Sequence, residues 1–493
     1  MSGKTFGEYM HKAKRLLTLS YLAFLCLGTI APTANAGSLY MPVHLSPEIE
    51  SRVERLFIIA NMPIVKRPIP IKLVQAALDK AEGKAPLLAS DIRRYLDRYA
   101  LKAAVTHASV SASYADNNTH YQEPNSRGVD HTASYTASIA GYAVLSDFVA
   151  LNIGGVIREP GDAQNSNEQD EFPDGSFISI GWDYLQADIG YRGHWWGPFQ
   201  ESDMLLSTNA SSMPGVTLSN VRPLPFAGFN YELFYAEMST SDTILSSNRE
   251  RRLSGNPRLL GIHMSFNPVD GFAIGFNRLL QHGGADRPDS PTNLYNALFN
   301  TKETDNSGYG GNDFGNQQSS VTTRYTFAGD FPVAIYMEYA GEDTSASSDA
   351  HLGNSALMFG IHMPRLTRNL DLTIETAEWQ NAWYTNSNYG DGMQNYGAIT
   401  GHWGGGMRND GDAIGATAHT VKLIWDIKRG RSLTAKYHQI TNQEIITDNY
   451  TSSKVITLEY AQGMGNLIAG AKIIAGNTVF DESFSRISGF IRW

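Results

Sequence analysis

The chain has 493 residues, with 49 acidic against 39 basic side chains and a formal net charge of −10. That balance argues against a nucleic-acid partner, which requires a basic face. The single cysteine, Cys26, excludes an intramolecular disulfide.

The first residues read as an address. Lys4, Lys12, Lys14 and Arg15 precede an apolar stretch at 16–30, and Ala34-Asn35-Ala36 forms a small-x-small cleavage site. Together they predict a signal peptide over residues 1–36. Phe24 and Leu25 before Cys26 are not the small residues a lipoprotein site requires. Cleavage would remove four basic residues and one acidic residue, moving the net charge from −10 to −13 and leaving no cysteine.

Residues 37–103 form the second expected segment, a small helical bundle. Ser46 caps a first helix opened by Pro47, with Ile49, Val53, Leu56, Phe57 and Ala60 as its apolar stripe. Pro70 opens a second, with Val74, Ala77, Leu78 and Ala81 inward and Gly83 as its stop. Ser90 caps a third carrying Ile92, Leu96 and Tyr99.

From about Ala104 to Trp493 the period changes from 3.6 to 2. Leu185, Ala187, Ile189 and Tyr191 alternate with Gln186, Asp188, Gly190 and Arg192. Val333, Ile335, Met337 and Tyr339 alternate with Ala334, Tyr336 and Glu338. No apolar run of about 18 residues follows the signal peptide, so no transmembrane helix is readable. Alternation suits a sandwich as well as a membrane barrel, and the connections decide between them. Eight short turns, near Ser146, Asp183, 223–228, 267–271, 328–331, 364–369, 428–432 and 462–466, alternate with nine long polar stretches. Seventeen connections join eighteen strands. Short turns on one side and long loops on the other mark an antiparallel outer-membrane β-barrel. Plentiful Tyr (24), Phe (21) and Gly (46), with 18% charged residues, agree. Ile487, Gly489, Ile491 and Trp493 share one face, and an aromatic last residue resembles the signal read by the bacterial barrel-assembly machinery.

Motifs for chemistry are scarce. There is no His-Glu-x-x-His, no phosphate loop ending in Lys-Ser/Thr and no Gly-x-Ser-x-Gly elbow, so neither an enzyme nor a cofactor is expected. A catalytic site assembled from separate loops stays open. Asp162, Glu168, Asp170, Glu171 and Asp174 supply oxygens that suit calcium, or a solvated loop. Five of the eight tryptophans fall in two expected outer loops: Trp195 and Trp196 in one, Trp379, Trp383 and Trp403 in the other, joined by Tyr384, Tyr389 and Tyr396. Two readings stay open. The rings pack on sugar C–H faces, with Asn381, Asn386, Asn388, Asp391 and Gln394 meeting the hydroxyls; or they pack loop on loop and plug the barrel mouth, and the two do not exclude each other.

Trp195-Trp196-Gly197-Pro198, followed by Leu205-Leu206-Ser207-Thr208-Asn209-Ala210 and Met213-Pro214-Gly215, resembles the signature of the Wzi capsule-assembly family. Arg278, Gln281-His282-Gly283-Gly284, Gly315-Asn316-Gln317 and Gly341-Glu342-Asp343 follow in that family's order. Gly401-His402, with Asp410 and Asp412, is similar to its later loop motif, here interrupted by Trp403 and three glycines. His194 departs from the basic residue often found before the tryptophans. The resemblance implies an eighteen-stranded outer-membrane barrel of a Gram-negative bacterium with a periplasmic helical bundle. It implies a surface lectin that holds capsular or other extracellular polysaccharide on the cell. The competing readings are a porin or sugar-uptake channel and a surface enzyme.

Overall fold

A computed structural model describes residues 39–116, 121–129, 132–159, 171–292, 294–295, 315–344, 352–409, 411–443 and 450–493. The expected signal peptide, Asp162, Glu168, Asp170 and Asp410 lie outside the described residues.

Alternating side chains close into one barrel of eighteen antiparallel staves among the described residues. In chain order these are β1 (Ala103–Asp116), β2 (Tyr135–Ser146), β3 (Val149–Arg158), β4 (Glu171–Phe172 and Phe177–Trp182, both paired with β3), β5 (Leu185–Gly190), β6 (Gly215–Ser219), β7 (Asn230–Glu237), β8 (Arg258–Val269) and β9 (Phe272–His282). There follow β10 (Gly315–Phe327), β11 (Val333–Thr344), β12 (Leu352–Thr367), β13 (Leu370–Trp379), β14 (Ala416–Lys428), β15 (Arg431–Asn442), β16 (Ser453–Met464), β17 (Leu467–Asn477) and β18 (Ser483–Arg492). Each stave pairs with its neighbours in sequence. β18 pairs with β1 from Ser109↔Arg492 to Asp116↔Ser485, which closes the ring and removes every free edge. Trp493 completes the seam: its N–H donates to Ala108 O at 2.9 Å, and its carbonyl accepts from Ala108 N at 3.3 Å.

The period-2 pattern sorts the two faces. Leu233, Tyr235, Ile335, Met337, Tyr339, Ile487 and Ile491 lie on the exposed outer face, while Glu232, Phe234, Tyr336, Glu338 and Arg486 are buried in the lumen. Apolar-out, polar-in is the arrangement a lipid-spanning barrel requires.

Before the barrel come α1 (Pro47–Ile59), α2 (Ile71–Ala81) and α3 (Pro86–Leu96). The third helix begins a turn earlier than Ser90, because Pro86 at the first turn already has a helical φ. Ser46 does precede α1, yet its hydroxyl makes no cap bond. The expected stripes are buried against one another, and α1 buries its opposite side too, including Ser51 and Glu54.

That second face explains how the helices seat. Glu54 accepts from Arg67 Nη2 at 2.5 Å and from Arg324 Nη2 of β10 at 2.6 Å. Arg55 donates to Asp371 of β13 at 2.5 Å, and Ser51 bonds the same carboxylate. Lys72 pairs with Asp183 in the β4–β5 turn, and Asp91 with Arg429 in the β14–β15 turn. The helices therefore occupy the end of the barrel where the short turns lie. Burial alone would raise the Glu54 pKa, but Arg324 and Arg67 hold it at about 2.

Removing one partner of such a buried cluster leaves the others uncompensated, at about 3–5 kcal/mol. Glu54→Ala is therefore expected to lower the heat-modifiability midpoint in detergent and to expose the 60–85 segment to protease, with Glu54→Gln intermediate. The barrel should still assemble, since backbone pairing closes it. Unchanged protease resistance in Glu54→Ala would show that the helices seat without this cluster.

Candidate functional site

Two of the long connections do not stay outside; residues 191–214 and, among the described residues of 380–415, most of the chain turn into the lumen. The first threads across it, and carboxylates on the wall take up its polar groups. Glu375 of β13 accepts the backbone N–H of Gln200 at 2.7 Å and of Glu201 at 3.1 Å. Glu338 of β11 accepts Met204 N at 2.9 Å. Glu232 of β7 accepts Arg192 Nη2 at 2.9 Å and Trp196 Nε1 at 2.8 Å, and lies 2.7 Å from His194 Nδ1. In the opposite sense, Glu201 of the loop reaches Lys422 of β14 at 2.8 Å and Lys436 of β15 at 2.9 Å. Burial would raise the Glu201 carboxyl, but these two lysines hold it well below the usual carboxylate range.

The tryptophan pair joins the two ends of the plug. Trp195 and Trp196 form a short antiparallel ladder with Arg67 and Lys66, so the segment after α1 pairs with the loop descending from the other side. Trp196 is fully buried against Phe234, ring centroids 5.2 Å apart, and the Arg67 guanidinium lies 5.3 Å from the Trp195 ring centre. Gly197 is required here: its φ is 155°, and a Cβ would sit 1.9 Å from Asp203 Oδ1.

The 380–415 loop locks onto the first. Ser207 donates from its N–H to Thr400 O at 2.9 Å and from its hydroxyl to Gly401 O at 2.6 Å. Asn209 Nδ2 donates to Ile399 O at 3.1 Å. The Tyr384 hydroxyl donates to Met204 O at 2.5 Å and accepts His402 N at 2.8 Å, so one phenol ties both loops. His402 caps the short 3₁₀ turn Trp403–Gly406, its Nδ1 accepting Gly404 N at 3.1 Å. Burial drives the His402 pKa down to about 3, so it is neutral.

The sequence-predicted rings are accordingly interior. Trp379, Trp383, Tyr384, Tyr389 and Trp403 are each 4% exposed or less. The Trp379, His402, Trp403 and His438 rings follow one another at 5.1 to 5.2 Å. None of these five offers a face to a sugar in this structure; of the expected platform only Tyr396 stays half-exposed. The rings pack loop on loop and against the wall.

The remaining motif residues divide. Gln281 and Asn316 face inward: Gln281 Nε2 donates to Gly392 O at 2.9 Å, and Asn316 Nδ2 to Glu342 at 3.3 Å. Glu342 also accepts Tyr384 N at 3.1 Å. Arg278 and Gln317 face outward on β9 and β10 and hydrogen-bond each other across the ladder. Of the acidic stretch, Asp174 is described pairing with Arg127 at 3.5 Å and accepting Ser212 N at 2.8 Å. Among the described residues no group of three side chains is placed to hold a metal ion. Glu54, Glu201, Glu232, Glu338 and Glu375 were missed as plug anchors. For the three on strands a signal existed: a carboxylate at a lumen position of an alternating strand requires a buried partner.

Replacing Trp383 by Ala removes a fully buried ring, a loss of about 3–5 kcal/mol. The plug is expected to loosen, giving conductance in a planar bilayer where the wild-type protein gives none. A carboxyl with a depressed folded pKa stabilises above its ordinary range, and that contribution is lost only as pH falls through the folded value. Glu201 therefore stays ionised between pH 7.5 and 5, and its pairs with Lys422 and Lys436 should hold across that range. Closed recordings from Trp383→Ala would show that the plug holds without this ring.

A family model for the capsule assembly protein Wzi matches residues 98–464. A search of curated protein sequences gave no match. Among solved structures, the chain is similar to Wzi of Escherichia coli, described as an outer-membrane protein involved in group 1 capsule assembly and a carbohydrate-binding β-barrel. The TM-score is 0.66 at 15% identity, over 93% of this chain and 99% of that one. OccK5 (OpdH) and OpdQ of Pseudomonas aeruginosa align at TM-scores of 0.48 and 0.47 with 10% identity, each over 80% of this chain and 97% of theirs. With most of the chain matched by the family model and the barrel shared with the E. coli structure, this protein belongs to the Wzi capsule-assembly family of outer-membrane β-barrels.

Proposed function

We propose that this protein attaches capsular or other extracellular polysaccharide to the surface of a Gram-negative cell, as a lectin rather than a pore or an enzyme. The observation that carries the reading is the obstructed lumen: the 191–214 and 380–415 loops and the helices interlock through hydrogen bonds and ion pairs, beside a cavity lined by Tyr142, Asn152, Phe177 and Arg192. An uptake channel requires an aqueous path. A surface lectin requires outer loops held in fixed positions, because ordering a loop on binding costs affinity.

In this reading residues 1–36 are a cleaved signal peptide, the helices at 37–103 face the periplasm, and the barrel at 104–493 sits in outer-membrane lipid after insertion by the barrel-assembly machinery. The even number of staves puts both barrel ends on the side of the helices. The polymer meets the outer surface of the 380–415 loop. There Gln380, Asn381, Ser387 and Asn409 are exposed and Tyr396 half-exposed. Amides supply both donors and acceptors for sugar hydroxyls, and the buried rings beneath hold the surface that carries them.

A combined Gln380→Ala, Asn381→Ala, Tyr396→Ala variant is expected to release capsule into the medium with an intact plug, read as wild-type heat-modifiability and closed bilayer recordings. Single changes should release it only partly, because each contact of a repeating polymer is weak and retention grows by effective concentration. If the triple variant inserts normally and retains wild-type amounts of cell-bound capsule, the polymer is held elsewhere. Shortened chains after incubating capsule with purified protein would support the enzyme reading instead.

A further inference from the structure

At the turn end the barrel rim divides by charge. The β2–β3, β4–β5, β8–β9 and β10–β11 turns carry Asp147, Asp183, Asp270 and Asp330, and Asp183 pairs with Lys72 and with Arg222 of the β6–β7 turn. The β12–β13 and β14–β15 turns carry Arg365, Arg368, Lys428, Arg429 and Arg431. These two turns are clamped side by side. β13 pairs with β14 from Leu370↔Trp425, Asp426 N donates to Asn369 O at 2.9 Å, and Asn369 Nδ2 donates to Asp426 O at 3.1 Å. The arc continues onto α3, where Asp91 lies 2.9 Å from Arg429 and 3.8 Å from Arg94.

Arg365, Arg368, Lys428 and Arg429 are exposed and Arg431 half-buried. Asp91 and Asp426 are the acidic groups among them, at 26% and 35% side-chain exposure. Six cations thus face two partly covered carboxylates, on a chain whose net charge is −10. Directly beside them Leu366, Trp425 and Ile427 are exposed. Trp425 lies on the lipid-facing side of β14, which puts the guanidinium groups at the height where a bilayer's hydrocarbon gives way to headgroups.

We propose that this arc is a docking site for the phosphate headgroups of anionic phospholipid in the leaflet bordering the turn end. Arginine presents a donor fork that matches phosphate oxygens. The apolar belt continuous with the cations favours a lipid over a soluble acidic protein, which would leave Trp425 and Ile427 unused. Asp147, Asp270 and Asp330 elsewhere on the rim repel the same headgroups, so the leaflet is bound on one side of the barrel.

The test uses the full mature protein in mixed bicelles, with native mass spectrometry counting retained phosphatidylglycerol against phosphatidylcholine. Wild-type protein should retain phosphatidylglycerol by at least about tenfold over its mole fraction relative to phosphatidylcholine, and lose that preference as salt rises. The Arg365→Gln, Arg368→Gln, Lys428→Gln, Arg429→Gln, Arg431→Gln variant should retain the two lipids equally while keeping wild-type heat-modifiability. Arg222→Gln, a cation already paired with Asp183 on the other arc, should behave as wild type. Equal retention by the wild-type protein, an undiminished preference in the fivefold variant, or the same loss in Arg222→Gln would each overturn the proposal.

Discussion

An eighteen-stranded barrel encloses more space than its own inward side chains can fill. Everything inside this molecule follows from that mismatch. The wall is self-sufficient, since each stave pairs with two neighbours and no edge remains. The lumen must then hold water or be packed by chain from elsewhere. Here chain enters it from both ends, helices at the turn end and two loops from the other, and the two meet at the ladder between Lys66-Arg67 and Trp195-Trp196, leaving a cavity beside Tyr142, Asn152 and Phe177.

Packing a lumen with loops raises a difficulty that a hydrophobic core avoids. Loop backbone brings unpaired N–H groups into a buried space, and each costs free energy unless it finds an acceptor. Glu338, Glu342 and Glu375 meet this requirement, reaching inward and accepting backbone N–H groups of Met204, Tyr384, Gln200 and Glu201. A carboxyl group serves better than an amide because both of its oxygens can accept, as Glu375 takes Gln200 N on one and Glu201 N on the other. Its own burial is then a cost, offset where cations reach it, as Arg67 and Arg324 reach Glu54.

The wall was legible in the sequence because its rule is local. Period-2 alternation and turn spacing give the stave number without knowledge of any long-range contact, and Leu185 to Gly190 alternate between the outer face and the lumen as that rule requires. The position of the loops was not legible, because nothing local says whether a long connection points outward or folds back. Trp383 and Tyr384 in a polar stretch read equally as a platform or as a plug. What decides is whether partners exist on the far side of the lumen: Met204 for the Tyr384 hydroxyl, Glu342 for its N–H. The glycines around Trp403 held a clue. A Cβ at Gly405 would lie 2.5 Å from the Tyr384 ring, so that run is shaped by close packing rather than by freedom to move.

The same logic bears on the surface role proposed for this barrel. A pore is selected for the space it keeps empty, whereas an attachment surface is selected for how little it moves. Residues 380–415 are tied to 191–214 by Ser207, Asn209 and Tyr384, and 191–214 is tied to the wall by carboxylates on three separate staves. Displacing the outer loop therefore means breaking buried ion pairs far below it, which couples the rigidity of the polar surface to the filling of the lumen. The aromatic rings contribute bulk to that filling, and the amides above them face outward because the rings hold the chain beneath them in one conformation.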